Sequence, residues 1–398
     1  GVQVDGYCLL ENQTNHDSIK VLFRADSPTA VTDSCYTNSS GYYSIEISSG
    51  AYDVYFTRFG FFSREILSQL LFSNTTIDTV HLVQWSPGVP IAGNISGNLT
   101  DTVYFVYDHI FVQSGDSLNI QPGAELIFYD SVNFEIDGYL YAVGNEQDSI
   151  KFLPDSGISR GSIRFTDSTD NSSQMQYCLI TGGNAFGSYP DNRGGGISCV
   201  YCSLSISHCT ISGNIGECGG GIYCMHSNSS ISNCIVNYNT ANDVGGGICC
   251  DHCNPSIYHC IFIGNSASYV GGGIGCWFSD PIINRCTNSD NHAEYGGGIS
   301  CQYSSPTISR CIIYDNTANY GGGIRCVYYS PSIHHCTISG NTASYGGGGI
   351  GCYDVSLEII NTNIDNNNGE GILFETNCPS TSLVYSNIYN NSGGNLGD

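Results

Sequence analysis

Basic residues are the scarcest chemistry in this chain: 11 Lys plus Arg stand against 35 Asp plus Glu in 398 residues, a formal charge of -24. Beyond Trp85 the cations are Lys151, Arg160, Arg164, Arg193, Arg285, Arg310 and Arg325 alone. So few cannot neutralise a run of phosphates, which excludes nucleic acid as a partner. Long apolar runs are missing too, and nothing approaches the ~20 residues a helix needs to cross a bilayer, so no transmembrane segment is expected. The chain opens on Gly1 and not on Met, from which the removal of a signal segment is expected. An acidic surface rich in Asn, Ser, Thr, Gly and Tyr suits an extracellular or cell-surface protein that hydrogen-bonds sugars. No resident cofactor is expected beyond weak binding of Ca²⁺.

What the chain has in quantity is glycine, 50 residues, and cysteine, 21. Both fall into a period. Gly-Gly-Gly-Ile-x-Cys occurs seven times, its isoleucines Ile197, Ile222, Ile248, Ile274, Ile299, Ile324 and Ile350 standing 25 or 26 residues apart. The cysteines of this motif are Cys199, Cys224, Cys250, Cys276, Cys301, Cys326 and Cys352. A second column, Cys209, Cys234, Cys260, Cys286, Cys311 and Cys336, precedes Asn214, Asn239, Asn265, Asn291, Asn316 and Asn341 by five residues. A third column runs Ile206, Ile231, Ile257, Ile283, Ile308, Ile333. Apolar residues alternate over short stretches such as Cys336-Thr337-Ile338, the period of strands and not of helices. A unit this short cannot bury a face alone, so the chain is expected to be a solenoid whose coils, each with about three strands, stack through parallel pairing. Like residues then form ladders, Ile and Cys inward and the Asn amides bonding turn backbone or the next Asn. Leucine-rich and ankyrin-type repeats are excluded, because there is no Leu ladder and no helical period.

The coil, roughly S-P-x-I-x-x-C-x-I-x-x-N-x-A-x-Y-G-G-G-I-x-C, resembles the right-handed parallel β-helix repeats of pectate-lyase-like extracellular proteins. It is also similar to polymorphic outer-membrane-protein repeats, whose signatures are Gly-Gly-x-Ile and aromatic-x-x-Asn. The regular repeats occupy residues 194–398, and residues 89–193, with Gln121-Pro122-Gly123 and Ile150-Lys151-Phe152, resemble irregular opening coils of the same family. Residues 1–84 carry no period, and Gly41-Tyr42-Tyr43-Ser44-Ile45 followed by Gly50-Ala51-Tyr52-Asp53-Val54 resembles a carboxypeptidase regulatory-like domain, which implies a small antiparallel β-sandwich. Residues 85–88, Trp-Ser-Pro-Gly, read as a linker. The expected class is therefore all-β, a right-handed parallel β-helix behind a small sandwich.

Fourteen cysteines belong to the two ladders, counting Cys178 at the head of the second. They are expected to be buried thiols, since parallel in-register side chains make a poor disulfide dihedral. Cys8 and Cys35 are either joined or unpaired core residues. Outside the ladders stand Cys202, Cys218, Cys249, Cys253 and Cys378, among which a local disulfide is an alternative to free thiols. Cys249-Cys250-Asp251-His252-Cys253 with His226 one coil earlier gathers zinc-type ligands, but Cys250 is expected to point inward and no second ligand pair follows.

Two outward columns are the candidate ligand-binding residues. One is aromatic: Tyr201, His226, His252, Phe278, Tyr303, Tyr328, which either stacks sugar rings or stacks on itself. The other holds Arg285 and Arg310 on adjacent coils. In lyases of the resembled fold a basic residue removes a proton while Asp-held Ca²⁺ neutralises a uronate; here Asp290 and Asp315 stack beside the turn Asn, without an acidic cluster, so no catalytic residue is assigned. The expected function is a secreted or cell-surface structural or adhesive protein, non-catalytic, associating end to end into a filament through its last coil. The alternatives are a carbohydrate-binding module and a lyase or hydrolase of acidic polysaccharide.

Overall fold

A computed structural model describes residues 1–11, 13–25, 32–58, 61, 64–82, 88–155, 159–378 and 381–397. Trp85, Ser86 and Pro87 of the expected linker lie outside the described residues. The chain divides into two compact units, Gly1–Pro90 and Ile91–Asp398.

In the first unit β1 (Val2–Leu10), β4 (Tyr42–Ile47) and β7 (Thr75–Leu82) form one sheet, and β2 (Lys20–Ala25), β3 (Thr32–Tyr36), β5 (Gly50–Thr57) and β6 (Arg64–Leu71) the other. Alternation drives the pairing: Tyr52, Val54 and Phe56 turn inward from β5 and join Val4, Val21, Phe23 and Tyr43 in one core. One pair departs from the antiparallel expectation. β1 runs parallel to β7 while it runs antiparallel to β4. Cys8 and Cys35 are both unpaired, and burial pushes their thiols up to about 12 and about 11.

The second unit is a parallel β-solenoid within an all-β chain of about 12 turns. Each regular coil lays down three strands. The first face stacks Ile197–Val200, Ile222–Met225, Ile248–Asp251, Ile274–Trp277, Ile299–Gln302, Ile324–Val327 and Ile350–Tyr353. Registers are strict, so that Ile274 pairs with Ile299 and Ile299 with Ile324. The second face carries the Ile206 to Ile333 column, and the third begins one residue after the second cysteine column. Interior columns are built mainly of Ile, Cys and Asn, all buried. The opening coils belong to the same ladder, Val103–Val112 pairing with Glu125–Phe128 and Phe134–Ile136. There Phe128, Phe134, Phe152 and Phe165 fill the space that later coils fill with Ile and Cys.

The corners explain the outward columns. Tyr201, His226, His252, Phe278, Tyr303 and Tyr328 all have positive φ, as do His208, Asn233, His259, Arg285, Arg310 and His335, and the residue before each ladder Asn, such as Asp290 and Asp315. Each column is a turn in the left-handed region, which costs a non-glycine residue roughly 1–2 kcal/mol. In the glycine triplets the reason for glycine is close approach: a Cβ on Gly272 would lie 2.5 Å from the carbonyl oxygens of both Gly297 and His292.

Two of the cysteines placed outside the ladders are interior. Cys202 and Cys253 share a buried column with Ser227, Ser279 and Ser304, an alternation of small residues that hides their inward direction in the sequence. All 21 cysteines are free thiols.

A candidate ligand groove on the first face

Each coil returns to its glycine triplet through a short segment, ending in Cys218, Val244, Val270, Tyr295 or Tyr320, that folds against the outside of the first face. Outward residues of the face are thereby covered, so that Tyr223, Cys249 and Ser300 are buried although they point away from the coil interior. Between this return column and the aromatic corner a furrow is left. It opens into three cavities of about 500, 280 and 250 Å³.

The 500 Å³ cavity has aromatic walls. Tyr303 and Tyr328 line one side, Tyr269, Tyr295 and Tyr320 the other, and Trp277, Gln302 and Val327 form the floor as outward residues of the first-face strands. Neighbouring rings brace each other: Tyr295 and Tyr320 stack at 5.5 Å between centroids, Tyr303 and Tyr328 at 4.5 Å. Burial, then the carboxylate of Glu294, raises the Tyr295 hydroxyl above its ordinary range. At one end lies Arg325, 5% exposed, whose Nη2 donates to Glu375 Oε2 at 3.2 Å and whose Nη1 pairs with Oε1. Its guanidinium sits 5.4 Å from the Tyr320 ring centroid, and its Nε has no partner among the described residues. The cation is neutralised, so the groove is polar at its edges without net charge at this end.

The 280 Å³ cavity is bordered by Arg193, Cys218, Asp243, Cys249, Asp251 and His252. The 250 Å³ cavity lies beside Tyr201 and Arg164, the latter ion-paired with Asp191.

The aromatic column reaches the furrow only in part. Tyr201, His252, Tyr303 and Tyr328 border cavities, while His226 and Phe278 are members of the stack between them. Rings along the column lie 4.5 to 5.4 Å apart, so their faces are occupied by one another and their edges and hydroxyls are what remain for a ligand. Arg285 and Arg310 stand at a different corner, between the second and third faces, where Arg285 Nη1 lies 3.3 Å from His259 Nε2. Asp290 and Asp315 occupy a further corner, and no ion pair joins them to those arginines among the described residues. The zinc-type ligands do not converge: no group of three His, Cys, Asp or Glu is placed to hold a metal among the described residues, and the His226 ring lies between Tyr201 and His252.

Sequence reading missed the opposite wall, although Tyr295 and Tyr320 stand directly before their glycine triplets. It also missed Trp277, and Glu375, which reaches Arg325 across 50 positions.

Fold and repeat together define a parallel β-helix repeat protein. The closer likeness is short. Residues 335–353 match the Chlamydia polymorphic membrane protein repeat. No curated protein matches the chain. Among solved structures, the Dettilon tailspike protein is 11% identical over 73% of this chain and 62% of its own, with a TM-score of 0.35. A type II cohesin–X-dockerin complex from Acetivibrio cellulolyticus, an N-terminal interface mutant, is 22% identical over 21% of this chain, with a TM-score of 0.19. The chain spans 58% of the length of that structure. No helix of the described residues is long and apolar enough to cross a membrane.

Proposed function

We propose that the chain is a surface-exposed adhesive β-solenoid that holds an elongated, uncharged glycan along its first face, in a binding and not a bond-breaking role. The observation that carries this reading is the groove with tyrosine walls and a tryptophan floor, since aromatic side chains with polar tips supply both the apolar contact and the hydrogen bonds that sugars need. A neutral ligand is favoured by charge: the protein carries -24 overall, and Arg325, the one arginine lining the aromatic-walled cavity, is already paired. The same pairing ties up Glu375, the one carboxylate among the lining side chains, which supports binding over acid–base chemistry. The match to a repeat of a bacterial polymorphic membrane protein supports a place at the cell surface. Weak Ca²⁺ binding stays a proposal that rests on acidity alone.

The test is a glycan array probed with the full chain and with Tyr295→Ala and Tyr328→Ala. Binding to neutral, linear glycans that both variants lose supports the reading. Binding confined to polyanions, or indifferent to both substitutions, refutes it.

End-to-end association is a second reading. Leu383 and Leu396, which continue the inward columns of Ile359 and Ile372, are exposed on the last described coil, an apolar edge that one further coil covers and that a second copy can supply. Sedimentation velocity across a wide concentration range tests it, with a strictly monomeric boundary as the contrary result.

A further inference from the structure

The ladder cysteines are walled inside the coil, and burial raises the thiols of Cys209 and Cys352 well above their ordinary range. Cys218 and Cys249 are placed differently. Both lie outside the coil wall and border the 280 Å³ cavity, Cys218 at the end of a return segment and Cys249 as an outward residue of the first face. One coil further on their equivalents are Val244 and Gly275, and a Cβ built on Gly275 would lie 2.6 Å from Val244 Cγ1. The same step one coil earlier brings the side chains of Cys249 and Cys218 together, and their thiols share a hydrogen bond, the approach a disulfide requires. Arg193 Nη1 lies 2.7 Å from Cys218 Sγ, its guanidinium clamped 5.1 and 5.4 Å from the rings of Tyr189 and Tyr223. The Asp243 carboxylate stands further off, Oδ2 3.9 Å from the same sulfur. A hydrogen bond from Cys249, reinforced by the Arg193 charge, lowers the Cys218 thiol, and the same bond raises Cys249.

We propose that Cys218 and Cys249 are a redox-active dithiol in which Cys218 attacks a small peroxide admitted to this cavity and Cys249 then closes a disulfide between two coils. In the first step the Cys218 thiolate bonds to one peroxide oxygen, the O–O bond breaks, and the departing hydroxide takes a proton to leave as water. In the second, Cys249 sulfur attacks the sulfenic sulfur, the S–O bond breaks, and the hydroxyl leaves as water with the Cys249 proton. The two sulfurs lose two electrons and the peroxide gains them. Arg193, donating to Cys218 Sγ, favours its anion and is a positioning residue for the reaction.

The test uses the full chain, reduced, freed of reductant and exposed to limiting hydrogen peroxide, with linked peptides identified by mass spectrometry. The first product is expected to join Cys218 to Cys249 and to open again with dithiothreitol. Cys249→Ser, which copies Ser300, stops at a Cys218 sulfenic acid that a 1,3-diketone probe traps. Cys218→Val, which copies the next coil, leaves Cys249 reduced. Arg193→Gln slows Cys218 alkylation near neutral pH about fivefold. Circular dichroism of each variant confirms the fold. A first disulfide between any other pair, or Cys218 reacting no faster than Cys209 in the folded wild type, overturns the proposal.

Discussion

Asn265 donates from Nδ2 to Asn291 Oδ1 at 3.0 Å, while its own Oδ1 accepts the Nδ2 of Asn239 at the same distance. The relay repeats from Asn214 through Asn391, all pointing one way, and each Nδ2 of the run also reaches a backbone carbonyl of the third face, Val236 in the case of Asn265. At its head Asn214 Oδ1 accepts from Gly183 N at 2.8 Å and from the wholly buried Arg160 at 3.4 Å. The ladder thus satisfies every coil's third corner by making each coil depend on the next.

Asn265→Ala is therefore expected to cost about 3 kcal/mol, because it strands the buried donors of Asn239 as well as removing its own bonds. Urea denaturation measures this. Asn265→Asp sets a buried carboxylate against the Val236 carbonyl and Asn291 Oδ1, which raises its folded pKa above the unfolded value of about 3.9. The native state then holds a proton that the unfolded chain releases, so stability relative to wild type is highest in acid and falls as pH rises through the folded pKa.

Asn288 breaks the third-face column, standing where the adjacent coils place Phe262 and Ile313. Its Nδ2 is buried without a partner, and its Oδ1 accepts from an Asn291 amide that keeps other acceptors. Asn288→Ile is expected to stabilise by about 1 kcal/mol, read as a higher thermal midpoint.

Glu375→Gln leaves Arg325 charged and buried without its counter-ion, at an expected cost of about 3 kcal/mol. The double change Arg325→Met with Glu375→Leu is expected to lie within about 1 kcal/mol of wild type. A double-mutant cycle in urea with Arg325→Met and Glu375→Leu as the single variants separates the two cases, and costs that simply add would show that the pair is not coupled.

Gly272→Ala forces a Cβ onto the carbonyls of the neighbouring coil and is expected to cost about 3 kcal/mol, or to prevent folding. Ser300→Ala, on the adjacent strand, serves as the mild control, since the Ser300 hydroxyl is buried without a partner.

The stacking was legible in the sequence because a coil of 25 or 26 residues carries its register with it, so that Ile274 and Ile299 announce their contact by spacing alone. The groove was not, for three physical reasons. Its walls come from two non-equivalent columns that meet only when the return segment folds over the first face, as Tyr295 and Tyr328 do. Its ion pair spans two periods, from Arg325 to Glu375, and so belongs to no single-coil pattern. The aromatic column that did show, from Tyr201 to Tyr328, consists of corner residues whose ring faces are used up by stacking. Arg160 was hidden likewise, because it caps a ladder that begins 54 residues later.

Trp277 lies on the groove floor, and with Trp85 it makes up the chain's tryptophan, so its fluorescence reports directly on the site. Titration of Trp85→Phe protein with neutral oligosaccharides of increasing length is the decisive measurement. A saturable change is predicted, tightening with length until the ligand spans the coils from Tyr269 to Tyr353 and lost in Tyr295→Ala and Tyr328→Ala. An unchanged signal across the neutral series, or one that survives both substitutions, would contradict a glycan-holding groove.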